Sequence, residues 1–205
     1  MIYIMLLTVF VALLTILALI IYAFNKLPRS YFFFLFFTLI TSLIVALKIY
    51  ERNFKLSVVP DALQVSSIAY SKEESWGFGP GGNEAGIRVY PLSEKISNQI
   101  KELGIEYFET LPANENQKNR RWRGIYDSWS ETPVKEEQYW KYDEGGRLDV
   151  YDYICRYGFC INIDEDVLRQ ATDIINSEGS YYAYGRIGLI VISPREKIVL
   201  YVYNG

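Results

Sequence analysis

The sequence predicts an N-terminal transmembrane helical hairpin followed by an α+β domain with a mainly antiparallel sheet and two helices. Residues 1–50 carry three charged side chains, whereas the other 155 residues hold 18 of the 21 Lys and Arg and all 24 Asp and Glu, a net charge of −6. Beyond about residue 60, short alternating stretches replace the long apolar runs. We therefore expect a two-helix anchor over 1–50, a juxtamembrane linker over 51–60 and a globular domain over 61–205.

Two uncharged runs, residues 2–24 and 30–47, predict the membrane helices. At about 1.5 Å per residue they span roughly 35 Å and 27 Å. Because the hydrocarbon core is about 30 Å thick, the first run crosses it with some tilt and the second is just long enough. Between the runs, Pro28 stops the helix, and Lys26 and Arg29 indicate a turn that faces water.

The first run also resembles a cleaved signal peptide in its position. It lacks a basic segment before the apolar stretch, is too long, and has no small-x-small cleavage pattern before Lys26, so we favour a retained helix. A pair of soluble core helices is disfavoured because neither run has a polar face at the helical period. The predicted protein is integral, with two membrane helices in a bacterial inner or plasma membrane.

Basic residues near the helix ends leave the orientation open. Lys26 and Arg29 directly follow a first helix that has no basic residue before it, which favours a cytoplasmic turn. Lys48, Arg52 and Lys55 favour cytoplasmic termini instead, and they are more numerous.

In the globular region, alternation and capping residues predict the first elements. Leu63–Tyr70 alternates weakly and Gly86–Tyr90 clearly, as β-strands do. A helix with Ser93 as its N-cap follows, because apolar residues recur there on one helical face. Ile105–Phe108 and Glu137–Lys141 are predicted as further short β stretches.

The last third of the chain predicts two hairpins around a second helix. Leu148–Ile163 has the pattern of a hairpin. The helix begins after the N-cap Asp164 and stops before Gly179. A closing hairpin pairs Arg186–Ile192 with Lys197–Tyr203. Because strands pair mostly with their sequence neighbours, we expect an antiparallel sheet.

The absence of histidine removes several kinds of chemistry. Ser-His-Asp and Cys-His nucleophile systems, histidine zinc sites and histidine pH switches all need an imidazole. Two cysteines without histidine also fall short of a four-ligand zinc site, so we predict no metal and no cofactor. The acidic balance makes nucleic acid an unfavourable partner, since binding it requires neutralising phosphates.

The two cysteines predict a disulfide. In a hairpin that turns at Tyr157–Gly158, Cys155 and Cys160 form a non-hydrogen-bonded pair with Cα atoms about 4.5 Å apart. Ile154 and Ile161 would then lie on the core side, leaving the sulfur atoms on the outer face. An oxidised pair favours an extracytoplasmic domain, whereas two ordinary thiols would suit a cytosolic one. A redox-active pair is disfavoured because the spacing is not CxxC.

A glycine-rich segment over residues 76–86 is a candidate ligand loop. Trp76 and Phe78 would form its walls, and Asn83 and Glu84 would supply polar contacts. The segment matches neither a P-loop nor a dinucleotide-binding pattern. The alternative is a wide hairpin connection without a ligand.

A second candidate is the basic segment over residues 118–123. Arg120, Arg121, Trp122 and Arg123 belong to it and could hold an anionic lipid headgroup or an envelope polymer. The alternative is a solvated loop that balances nearby acidic residues.

Carboxylates could provide acid–base chemistry, although their spacing singles out no pair and the catalytic residues stay unassigned. The candidates are Glu73, Glu74, Glu84, Asp127, Glu131, Asp143, Glu144, Asp149 and Asp152.

These features favour a membrane-anchored interaction or sensing module that presents an acidic, tyrosine-rich domain at the extracytoplasmic membrane surface. Its expected partners are the lipid bilayer and another envelope protein or polymer. Two alternatives stay open: an envelope hydrolase with a carboxylate pair beside the glycine-rich loop, and an immunity or inhibitor protein facing the cytoplasm.

Overall fold

The structure, a computed structural model, divides the chain into two units, Met1–Asn53 and Phe54–Gly205. The residues described are 2–76, 83–115, 123–135, 140, 142, 145–158 and 160–204.

The first unit consists of apolar helix. Helix α1 spans Ile2–Lys26 and α2 spans Arg29–Leu56, whose last turn already belongs to the second unit. Pro28 lies between them and starts the hydrogen bonding of α2, because the amide of Phe32 donates to its carbonyl.

Helix α2 is long and apolar enough to cross a membrane, and its most apolar window of 18 residues has no buried residue. The apolar part of α1, counted over Phe10–Lys26, is shorter. The structure thus supports one membrane helix near the N-terminal end, and the second span stays a prediction.

The described part of the second unit forms a six-stranded antiparallel sheet in the order β1-β2-β6-β5-β4-β3. The antiparallel sheet predicted from the sequence is thereby confirmed. The strands are β1 Tyr70–Trp76, β2 Asn83–Pro91, β3 Ser130–Glu131, β4 Tyr181–Tyr184, β5 Gly188–Ser193 and β6 Ile198–Asn204.

Helices cover both faces of this sheet. On one side, called the α3 face, Glu94–Leu103 (α3) and Glu106–Glu109 (α4) pack on apolar residues of the central strands. On the other, called the α6 face, Val150–Ile154 (α5) and Glu165–Asn176 (α6) do the same. The unit therefore has two hydrophobic cores and more helices than the two predicted.

Local sequence signals located several elements correctly. The Ser93 side chain accepts a hydrogen bond from the amide of Ile96 at 3.3 Å and begins α3. Asp164 caps α6 in the same way. The closing hairpin forms as predicted, with Gly188 opposite Tyr203 in the β5–β6 register.

The predicted Leu148–Ile163 hairpin is wrong. Asp149 accepts a hydrogen bond from the amide of Tyr151 at 2.8 Å and begins α5 instead. This helix buries Val150, Tyr153 and Ile154 in the α6-face core, and spacings of three and four residues lie on one face of a helix but not on one face of a strand. Cys155 then ends the helix.

Two other predicted strands also differ from the structure. Ile105–Phe108 lies mostly in α4, which buries Phe108 in the α3-face core. The stretch Leu63–Tyr70 reaches strand conformation only at its last residue, because the buried Leu63 ends a 3₁₀ turn and Gln64 has left-handed backbone (φ 52°). The run Glu137–Lys141 lies outside the described residues apart from Trp140, which is buried.

Candidate functional site

The most unusual group in the second unit is a charged network on the α3 face. One Glu73 carboxylate oxygen accepts hydrogen bonds from Arg88 Nη2 at 2.5 Å and from the Tyr203 hydroxyl at 2.7 Å. The other lies 2.9 Å from Lys55 Nζ. The Arg88 side chain is 5% exposed and that of Glu73 34%. The network is therefore a nearly buried arginine held by a half-buried carboxylate.

Strand register brings these residues together. Glu73 lies opposite Gly86, and Gly86 lies opposite Tyr203 on the next strand. A Cβ atom on Gly86 would lie 2.6 Å from the Tyr203 hydroxyl, so only glycine lets the ring reach across β2 to Glu73. Tyr203 lies two strands away from the carboxylate, so its position depends on the missing side chain of Gly86 on the strand between them.

Aromatic rings surround the arginine. Its guanidinium carbon lies 5.0 Å from the centroid of the Tyr203 ring, which stacks on Tyr201 at 5.2 Å. The Tyr90 hydroxyl donates to the carbonyl of Lys55 at 2.7 Å and so connects the sheet to the last turn of α2. Cation–π contact and ion pairing together offset part of the cost of burying Arg88, whose buried Nε has no hydrogen-bond partner in the described part of the chain.

The network fixes the protonation of its members. Burial raises the pKa of Glu73, but hydrogen bonds from Arg88, Lys55 and Tyr203 outweigh it and hold that pKa at about 2. Burial raises the pKa of Tyr90 to about 12, although the charge of Arg88 opposes the shift, and it raises the pKa of Tyr203 still further. Near neutral pH, Glu73 is therefore ionised and the tyrosines are neutral.

These states limit the chemistry that the network can perform. A general acid of a glycosidase needs a carboxyl whose pKa is raised, whereas that of Glu73 is lowered. A tyrosine with a raised pKa stays protonated near neutral pH and so cannot act as a general base there. The network thus suits holding strands and side chains in place better than moving protons.

The candidate loop residues separate onto two faces. Trp76 packs against the α6-face core. Register places Glu84 in line with Gly86 and Arg88 on the α3 face, where it is exposed. Trp76 and Glu84 therefore do not line one cleft.

Of the other two loop residues, the structure describes Asn83. Asn83 begins β2 opposite Trp76, so the glycine-rich segment connects two paired strands. Phe78 lies outside the described residues. A ligand role for the loop remains a prediction.

Of the basic segment, the structure describes Arg123. The Arg123 guanidinium carbon lies 4.6 Å from the centroid of the Phe54 ring, in the last turn of α2. Arg120, Arg121 and Trp122 lie outside the described residues. An anion-binding role for the segment stays a prediction.

Cys155 and Cys160 lie at disulfide distance, as the sequence predicts, with Cα atoms 4.5 Å apart. A turn after α5 brings them together rather than a hairpin: the amide of Gly158 donates to the carbonyl of Cys155 at 2.8 Å, and Gly158 has φ +82°. Ile154 and Ile161 are both buried in the α6-face core, as expected.

Two concave surfaces lie elsewhere on the second unit. A groove of about 580 Å³ lies beside α5 and α6, and its charged residues include Asp152 and Glu165. A smaller cavity of about 240 Å³ has Trp129 and Asp127 in its wall. Within the described ranges, no three Cys, Asp or Glu side chains are grouped closely enough to hold a metal ion.

Sequence reasoning named Glu73 only as one carboxylate among nine and missed Arg88 and Tyr203. The available signal was the alternation over Gly86–Tyr90, which places Arg88 on the face opposite the apolar Ile87. Comparison with protein-family models, with curated proteins and with solved structures gives no match for this chain.

Proposed function

We propose that the protein is a membrane-anchored interaction or sensing module that holds its globular domain at the membrane surface, on the extracytoplasmic side. Helix α2 carries this proposal. A core helix of a soluble protein would bury its apolar residues, whereas the most apolar window of α2 has none buried. Lipid is the environment in which such a helix is stable.

We further propose that α1 crosses the membrane as well. Its uncharged run is long enough to span the hydrocarbon core, and Pro28 separates it from α2. Two spans would place both ends of the chain on the same side of a bacterial inner membrane.

The cysteine pair supports an extracytoplasmic domain. Disulfides persist in oxidising compartments and are rare in the cytosol. An immunity or inhibitor protein facing the cytoplasm would have no such environment for Cys155 and Cys160.

Binding fits this domain better than hydrolysis. Glu73, the carboxylate of the network, has a lowered pKa and forms ion pairs with Arg88 and Lys55. The part of the chain beyond residue 50 is acidic, with a net charge of −6, and so suits a basic surface on another envelope protein or a cationic group on an envelope polymer.

The side of the membrane can be tested by protease access and thiol labelling in intact cells. A tag after residue 205 should be removed by external protease before lysis, and Cys155 and Cys160 should resist a maleimide reagent until they are reduced. A Cys155→Ser variant is the matched control, since it should expose one reactive thiol. Complete protection of the tag together with two reactive thiols in the wild type would place the domain in the cytoplasm.

A further inference from the structure

The outer edge of β1 is open to another strand. The sheet order ends at β1, and among the described residues β2 is the only strand that pairs with it. All seven residues of β1 are exposed or half-buried, whereas β5 is buried along its whole length. The outward-facing amide and carbonyl groups of an edge strand can pair with a further strand.

The sequence of β1 is nearly symmetric about Glu73. It runs Tyr-Ser-Lys-Glu-Glu-Ser-Trp from residue 70 to residue 76. If two copies of β1 pair in antiparallel register with Glu73 at the centre, Lys72 faces Glu74 of the second copy. In the same register Ser71 faces Ser75, and Tyr70 faces Trp76.

Every outer position in this register therefore meets a compatible partner. Opposite charges and aromatic pairs directly across two strands are the favourable cross-strand combinations. The Lys72–Glu74 pair and the Tyr70–Trp76 pair each occur twice, because the arrangement has a two-fold axis. Within one chain, Lys72 Nζ lies 3.7 Å from Glu74, and both side chains remain about 40% exposed and available to a second copy.

The central position brings two Glu73 residues face to face. Two like charges at this spacing normally repel. Here, however, each carboxylate is bonded to Arg88 and Lys55 of its own chain, so each enters the interface with its charge already compensated. The network on the α3 face thus removes the principal obstacle to this register.

We propose that two copies of this chain associate through their β1 edges, in antiparallel register centred on Glu73, to form one continuous sheet across both copies. Seven residues make a small interface, which corresponds to a weak complex in solution. Confinement to a membrane raises the local concentration of the copies and favours the pairing. Only the gain from a higher concentration in the membrane rests on the proposed function. The strand register is independent of it.

Charge reversal tests the register on the full chain in detergent or bicelles. Lys72→Glu and Glu74→Lys should each weaken self-association at least about tenfold, since either change converts two attractive pairs per dimer into repulsive ones. The double variant should restore association to within about threefold of the wild type. Energy transfer between labelled copies measures the dissociation constant, and thermal unfolding verifies that each variant folds.

Lys197→Glu is the matched control. It reverses the charge of a similarly exposed ion pair with Glu94, away from the edge strand, and should leave association unchanged. Copies carrying Lys72→Cys, mixed with copies carrying Glu74→Cys, should form mixed disulfides faster than either variant does alone.

Three results would overturn the proposal. One is a wild-type chain that remains a single copy at the highest membrane density reached. Another is a double variant as weak as the single ones. In the third, cysteines at positions 72 and 74 crosslink in cells only to a different protein, which would make β1 the docking edge for that partner. A failure of the sidedness test would leave all these outcomes unaffected.

Discussion

At the scale of single residues, Glu73 and Arg88 depend on each other. The guanidinium is nearly buried, and Glu73 is its carboxylate partner in the described structure. An arginine buried without a compensating charge is strongly unfavourable, whereas the intact pair contributes little net stability. The pair therefore fixes which strands meet rather than supplying most of the folding free energy.

We expect Glu73→Gln to lower the free energy of unfolding by about 2 kcal/mol, because Arg88 would stay buried without its counter-charge. Chemical denaturation of the full chain in detergent measures the change. Asp173→Asn is the control: it breaks an exposed ion pair with Arg147 and should change stability by less than about 0.5 kcal/mol. Equal effects of the two substitutions would show that burial of Arg88 has no energetic consequence.

The low pKa of Glu73 also predicts a pH dependence. Its folded pKa of about 2 lies below the ordinary value of 4.5, so ionised Glu73 stabilises the fold above about pH 4.5. That contribution is lost as the pH falls from about 4.5 to about 2. The stability difference between the wild type and Glu73→Gln should shrink through this range. A difference that stays constant with pH would contradict the assigned ion pairing.

Single residues of the network could not be located from the sequence because their partners are distant along the chain. Tyr203 is separated from Glu73 by 130 positions, and no local pattern connects them. The cysteine pair could be predicted because only five positions separate Cys155 from Cys160, and any compact turn brings them close. Its surrounding hairpin was wrong for the same reason: several kinds of turn satisfy that short separation.

At the scale of elements, local signals succeeded where they acted alone. Helices α3 and α6 begin at capping side chains, and the β5–β6 hairpin follows a strong strand pattern. The prediction failed over short apolar stretches such as Ile105–Phe108, where tertiary packing decides between helix and strand. Such stretches are numerous because helices pack on both faces of the sheet through short apolar segments.

The cap of α6 provides a test at this scale. Asp164 accepts hydrogen bonds from the amides of Asp166 and Val167. Asp164→Ala should therefore lower the free energy of unfolding by about 1 kcal/mol, whereas Asp164→Asn, which keeps the acceptor, should cost only a few tenths. Thermal unfolding of both variants measures the difference. Similar losses in both would indicate that charge, rather than capping, stabilises the first turn.

At the scale of the whole molecule, the chain divides into two units near residue 53. The assignment of residues 1–50 to an anchor, 51–60 to a linker and 61–205 to a globular domain stays a prediction. The sequence did not show that α2 continues to Leu56, because its last two turns contain charged residues that interrupt the apolar run. Helix length there follows from backbone bonding rather than hydropathy.

We expect the double substitution Leu39→Arg, Leu43→Arg to prevent α2 from inserting into the membrane. Both positions are exposed, and each arginine costs about 3 kcal/mol near the bilayer centre. If α2 is the only anchor, alkaline carbonate should release the chain. If α1 also spans, the chain should stay bound with its domain on the opposite side. Alanine at both positions is the control and should change neither property. Unchanged binding and sidedness in the arginine variant would show that α2 lies outside the membrane.

The position of β6 between β2 and β5 has a consequence for synthesis. Strand β2 ends at Pro91, and its neighbour β6 begins only at Ile198. At about 5 to 20 residues per second, the ribosome needs roughly 5 to 20 s to produce the intervening chain. During that time the β1–β2 hairpin has no third strand and is marginally stable. The newly made chain therefore has unpaired strand edges until β6 is complete, and a product truncated before residue 198 would have the β1–β2 pair separated from β5, β4 and β3.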